Sequence, residues 1–193
     1  MSKATLIVLC ALGAVCAHTL ADSCSTTDQT KTKTCLDAHF GKYGIDAGKA
    51  LPKFNDYIAT TVKHLEQHGA AGFDLYCEYG AALATCLGAL KTSACMKAEG
   101  FDAMYGLGKD ETRSYATSFP VEAYTCEHKQ EAKSLVACTW NASQSHPEPL
   151  RPLHDNHFVK YCKEDVRSFI CNQQKVALNF SQDGHCEEKL HKC

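Results

Sequence analysis

His64-Leu65-Glu66-Gln67-His68 sets two imidazoles one helical turn apart, a spacing that can grip a metal ion. A zinc hydrolase built on such a pair needs its glutamate directly after the first histidine, where it can activate the metal-bound water. Here the glutamate stands one position later and points elsewhere. The pattern reads instead as two solvent-facing histidines at a helix end, where positive charge suits the helix dipole. His154-x-x-His157 and the pair His185 and His191 give the same weak hint in a chain of ten histidines. No Gly-x-Ser-x-Gly turn raises a nucleophilic serine, and no glycine loop cradles phosphate. Asp110-Glu111 and Glu187-Glu188 read as solvated carboxylates, the first pair supporting the start of a helix after Gly108. This reading assigns no catalytic residue, metal ligand or cofactor, and expects no enzyme.

Sulfur chemistry dominates the chain. Residues 1–3 form a short basic start and residues 4–17 an apolar run of signal-peptide length, too short to span a bilayer. A signal peptide over 1–21 is expected, cleaved after Ala17 or after Ala21. Either cut removes Cys10 and Cys16 from the 13 cysteines and leaves eleven: Cys24, Cys35, Cys77, Cys86, Cys95, Cys126, Cys138, Cys162, Cys171, Cys186 and Cys193. In an oxidising compartment thiols at this density form disulfides, so all eleven are disulfide candidates. Asn141-Ala142-Ser143 and Asn179-Phe180-Ser181 are glycosylation sequons that agree with export. The expected setting is secreted and extracellular. An odd count leaves one thiol over, which offers a disulfide-linked homodimer, and Cys193 at the chain end is the first candidate.

The spacing constrains the pairing without fixing it. In Cys77-x8-Cys86 and Cys162-x8-Cys171, two cysteines nine apart on one helix are separated by about 13.5 Å and by about 900°, which places them on opposite faces. A disulfide needs α-carbons within about 7 Å. Each such helix must therefore be stapled to two different neighbours. Cys24 and Cys35, eleven apart, would share one face, which suggests that the first segment docks on a single partner.

The elements that carry these cysteines read as helices. Thr27-Asp28 offers a cap for a first helix through Lys33. From Leu51 to His68, Phe54, Ile58, Val62 and Leu65 form one apolar stripe, with Pro52 in the first turn and Gly69 and Gly72 closing the segment. Phe73 to Leu90 continues with Leu75, Tyr79, Leu83 and Leu87. Gly100, Gly106 and Gly108 are expected to break helices between 98 and 109. Val121 to Trp140 follows, with Pro120 preceding Glu122, Tyr124, Leu135 and Val136; a last helix is expected from Asp155 to Leu178. Between them, 141–156 is proline-rich and reads as an exposed connector. Phe54, Tyr57, Phe101, Tyr115 and Phe119 head an aromatic set that fills a core or lines a pocket. Residues 22–193 thus form one cysteine-rich domain of roughly 170 residues, long enough to bury roughly 70% of its unfolded surface. The expected fold class is all-α, a single helical bundle cross-linked by disulfides.

With Tyr76-Cys77-x8-Cys86-x8-Cys95, Tyr124-Thr125-Cys126 and Tyr161-Cys162-x8-Cys171, the chain resembles the cysteine-rich helical secreted proteins of invertebrates. Two groups share this rhythm: a nematode secreted domain of unknown function and the 27-kilodalton haemolymph glycoprotein class of insects. The resemblance implies an extracellular setting and a fold style, and brings no active-site residues. Formal charge is −2 and falls to −3 without Lys3, with no basic cluster, so nucleic acid and anionic membranes are not expected partners. No second apolar run is long enough to span a membrane. The function expected is that of a non-enzymatic extracellular binding or interaction module. A carrier of small apolar ligands, and a signal, toxin or effector that engages a receptor, are the alternatives; the partner is an unidentified protein or a small apolar ligand.

Overall fold

The computed structural model describes residues 24–135, 138 and 164–181, and these are mostly helical, with no strand among them. The expected signal peptide with its cleavage positions, the expected connector at 141–156, Asn141, Cys162, Cys186 and Cys193 lie outside the described residues, as do His154, His157, His185 and His191. Asn179 falls within the last helix.

Helix α1 spans Thr26–Lys42 and is capped by Ser25, whose side chain accepts the Asp28 backbone N–H at 3.1 Å. The cap is therefore two residues ahead of the expected Thr27, and the helix runs nine residues past Lys33. Its buried face is Thr32, Cys35, Leu36, His39 and Phe40, the i, i+3, i+4, i+7, i+8 progression of a helical stripe. Two of the five are polar, which hides the stripe from a count of apolar residues. Gly44, at φ 77°, reverses the chain at its end.

Helix α2 spans Phe54–Glu66 and corrects the expected stripe. Tyr57 and Thr61 are its buried residues, whereas Ile58 and Val62 are 41% and 47% exposed. The helix is turned so that its aromatic edge meets α1. Lys53 at the N-cap makes no side-chain hydrogen bond, and Pro52 lies just ahead of the helix instead of in its first turn. The start is held from outside: the Glu111 carboxylate accepts the Phe54 N–H at 2.6 Å, and the Tyr115 hydroxyl donates to the Pro52 carbonyl at 2.9 Å.

Helix α3 spans Gly72–Leu87, with Leu83 and Leu87 buried. Gly72 opens it instead of closing α2; a Cβ there would lie 2.3 Å from the Leu65 carbonyl oxygen, so only glycine lets the two helices meet so closely. Two 3-10 turns, Gly88–Thr92 and Ala94–Met96, lead to α4, Ala98–Tyr105. Gly100 lies inside α4 and does not break it. It is buried against the backbone of Ala94 and Cys95, where a side chain would not fit. Gly106 and Gly108 do interrupt the helices as expected, ending α4 and preceding α5.

Helix α5 spans Lys109–Glu127 with Pro120 inside it, so the expected break at Pro120 is displaced to His128. Proline inside a helix costs about 3 kcal/mol. The continuous buried stripe Thr112, Tyr115, Ala116, Phe119 and Glu122 offsets that loss by packing both halves of α5 on the same core. Residues 129–135 form α6 and Glu164–Ser181 form α7; the expected helix start at Asp155 lies outside the described residues. Helix α7 packs along α5: the Phe169 ring stacks on Tyr124 at 5.6 Å, and Gln173 donates to the Thr125 hydroxyl at 2.9 Å.

Phe40 is the centre of the core. It is fully buried and meets Tyr57, Tyr115 and Phe119 edge to face at 5.4, 5.8 and 6.2 Å, while Phe101 stacks on Tyr115 and Phe119 from the far side. Three disulfides clamp these helices: Cys24–Cys95, Cys35–Cys86 and Cys77–Cys126. Cys138 and Cys171 are disulfide-bonded as well. The opposite-face argument holds for α3, which is joined through Cys86 to α1 and through Cys77 to α5. Cys24 and Cys35 do not share one partner: Cys24 precedes α1 and reaches the turn at Cys95, while Cys35 reaches α3.

Candidate functional site

Two features between the helices combine unusual chemistry with space: a buried histidine–carboxyl pair and the cleft beside it. His39 comes from the last turn of α1 and Glu122 from the last third of α5. Their side chains meet where α1, α3 and α5 converge, with Nε2 of His39 3.9 Å from Oε2 of Glu122. Both are nearly sealed from water, at 2% and 4% exposure. The His39 ring is walled by Phe40, Tyr43 and Phe119 at 5.4 to 5.9 Å. The Glu122 carboxyl lies against Gly80, where a Cβ would come within 2.8 Å of Oε1.

Burial decides the charge state of this pair. It pushes the Glu122 carboxyl up from 4.5 to about 8. It also drives His39 down from 6.5 to about 4; the nearby Tyr79 backbone opposes this in part and the Lys42 charge reinforces it. The Tyr79 backbone is not a hydrogen-bond partner in good geometry, because neither ring nitrogen of His39 has one. Both directions favour a neutral acid beside a neutral imidazole over an ion pair, as expected where the cost of desolvating two charges exceeds their attraction. Oε1 of Glu122, the Tyr43 hydroxyl and the Thr61 hydroxyl also lack hydrogen-bond partners. The Tyr43, Tyr57 and Tyr76 hydroxyls are raised far above the ordinary phenol range, first by burial and then by the Glu122 charge.

Beside Gly80 and Glu122 runs a cleft of about 860 Å³ between α3 and α5, reached also by Val176 of α7. Leu83, Leu87, Met96 and Phe119 give it an apolar base, Ala81, Ala84 and Ala123 keep its walls low, and the Cys77–Cys126 bridge fixes the separation of its two sides. Glu122 belongs to its lining. Charged groups stand at its edge: Asp74, Glu78 and Glu127 against Lys91 and Lys129. Asp74 is bound by Lys129 and, at 2.9 Å, by Lys133 of α6, and these bonds hold its carboxyl below the usual range.

The histidines that drew attention in the sequence behave differently from one another. His68 is exposed as expected. His64 is half-buried, with its ring against Tyr43 at 5.7 Å and Tyr79 at 6.2 Å, so it serves packing more than solvation. Among the described residues no group of three histidine, cysteine or acidic side chains is placed to hold a metal ion. Of the acidic pair Asp110-Glu111, Glu111 is not merely solvated, since it caps α2 from α5. His39 was missed altogether, and Glu122 was read only as part of a helix. The signal was present in register: His39 follows Leu36 by three, and Glu122 follows Phe119 by three, so each lies on the buried face of its helix.

Comparison with known proteins finds no match: no family model, no curated protein and no solved structure.

Proposed function

We propose that this is an exported, non-enzymatic binding protein that carries a small, mostly apolar molecule in the α3–α5 cleft. The observation that carries this reading is the cleft itself. Its volume of about 860 Å³ falls in the range of small-molecule sites, roughly 300–1,000 Å³, and it joins an apolar base to a buried carboxyl with one unbonded oxygen. Disulfides across both faces of α3 support a preformed site, because a wall that is already fixed loses little entropy when a ligand enters. Export is supported by the disulfides and by the apolar leader, and no helix among the described residues is long and apolar enough to cross a membrane. The cysteine rhythm shared with invertebrate secreted proteins supports the same setting, and glycosylation at Asn141 and Asn179 would follow from it.

Native mass spectrometry of the protein purified from a eukaryotic secretion host tests the proposal. The expected result is a co-purified small molecule in the unaltered protein and none in Ala84→Trp, which fills the cleft from an exposed helix position. An empty protein that also fails to take up a fluorescent apolar probe would sink the carrier reading. A second reading, an interaction module for another protein, is favoured by Ile58 and Val62, which stand exposed one turn apart on α2.

A further inference from the structure

One oxygen of the carboxyl beside the cleft is left unbonded by the protein. Glu122 is 4% exposed, lines the cleft, and leaves Oε1 without a hydrogen-bond partner. A buried group in that condition costs stability and calls for an explanation. His39 of α1 lies against it, and Tyr43 of α1, Tyr57 of α2 and Tyr76 of α3 are close enough to feel its charge. None of them is a cation: burial keeps His39 neutral, and Lys42, whose charge reaches His39, holds its Nζ over the Tyr79 ring at 4.7 Å. An anionic headgroup brought here would lose its hydration and find no counter-charge. At the mouth, acidic groups outnumber basic ones, and Lys129 is already committed to Asp74.

From this placement we propose that the cleft takes an apolar molecule bearing an amine, whose ammonium group seats against the Glu122 carboxylate. The inference rests on the carrier reading and names the chemistry of its cargo. Ligand entry moves one proton. The neutral carboxyl releases its proton to solvent, and the ammonium takes its place as the positive partner, donating to the oxygen that now lacks one. A charge-assisted bond of this kind is about twice as strong as a neutral one.

The test titrates decylamine, 1-decanol and decanoate separately into the disulfide-intact protein at pH 7. Calorimetry is run in two buffers of different ionisation enthalpy, beside the variant Glu122→Gln. Decylamine is expected to bind on the order of tenfold more tightly than either other probe. Its binding should release about one proton per ligand, because the empty carboxyl is mostly protonated at that pH. Glu122→Gln, which keeps the shape and neutrality of the resting side chain, should lose both the preference and the proton release while still binding decanol. Equal affinity for the three probes, tighter binding of decanoate, or an amine preference that survives in Glu122→Gln overturns the amine assignment and leaves the carrier reading standing. Binding of no probe at all overturns both. Should the variant fail to fold, the unaltered protein still decides, since amine binding without proton release overturns the proposal.

Discussion

His39 and Glu122 face each other at 3.9 Å across the junction of α1, α3 and α5, and both are uncharged near neutral pH. Two groups that form salt bridges on a surface here act as a neutral polar pair inside an aromatic wall. The consequence is a stability profile with a plateau. His39 titrates near 4 when folded and 6.5 when free, so its contribution is full above 6.5 and is lost as pH falls through about 4. Glu122 titrates near 8 when folded and 4.5 when free, so its contribution is full below 4.5 and is lost as pH rises through about 8. Between 4.5 and 6.5 the two slopes nearly cancel.

Urea unfolding followed across pH should therefore show a loss on the order of 2 kcal/mol between pH 6.5 and 8. In Glu122→Gln that alkaline limb should flatten. A limb of equal steepness in the variant would show that other groups cause it.

Replacing Cys77 and Cys126 together by serine removes a bridge that closes a 49-residue separation, and loop closure of that length is worth about 4 kcal/mol. The Cys35–Cys86 bridge, over 51 residues, should cost a similar amount. The two deletions differ in a second readout: only the first borders the cleft, so only it should also weaken uptake of an apolar probe. Unfolding midpoints and probe titrations on the two double variants check both statements.

Glu111→Ala should destabilise the protein by about 1 kcal/mol, the usual effect of removing a helix cap. Helix α2 has no cap of its own, so the Phe54 N–H would lose its acceptor. The loss should appear as faster hydrogen exchange confined to the first turn of α2. Uniform protection with unchanged stability would refute a capping role.

The exposed edge of α2 and the aromatic core beneath it should respond very differently to substitution. Ile58→Ser and Val62→Ser should change stability by no more than about 0.5 kcal/mol, as exposed positions do. Phe40→Ala, at the point where the aromatic core converges on α1, should cost about 3–5 kcal/mol. Thermal melts of the three variants suffice, and a large loss at Ile58 would restore the stripe expected from periodicity.

Periodicity revealed most of the helices but not their faces. The segment holding Phe54, Ile58, Val62 and Leu65 does form a helix, yet the more aliphatic edge of it is left to solvent, because the core it joins is made of rings and Tyr57 matches Phe40 and Tyr115 better. Helix α1 extends past the expected Lys33 for the converse reason: Thr32 and His39 occupy buried positions that a hydropathy pattern assigns to water. Pro120 misled in the same way, since a local penalty was outweighed by packing on both sides of it. The cleft could not be foreseen from the apolar residues alone. It arises from how far apart α3 and α5 are held, and that distance is a property of the assembled helices.

The sequence by itself determined that the described segments are helices and that cysteines nine apart on α3 must bond in two directions, because helical geometry at that range depends only on spacing. Only the tertiary structure decided which cysteines pair, which edge of α2 is buried, and that a histidine from α1 meets a glutamate from α5 beside an open cleft. Those outcomes depend on contacts between residues some 50 to 80 positions apart, selected by the packing of aromatic side chains that no local pattern encodes.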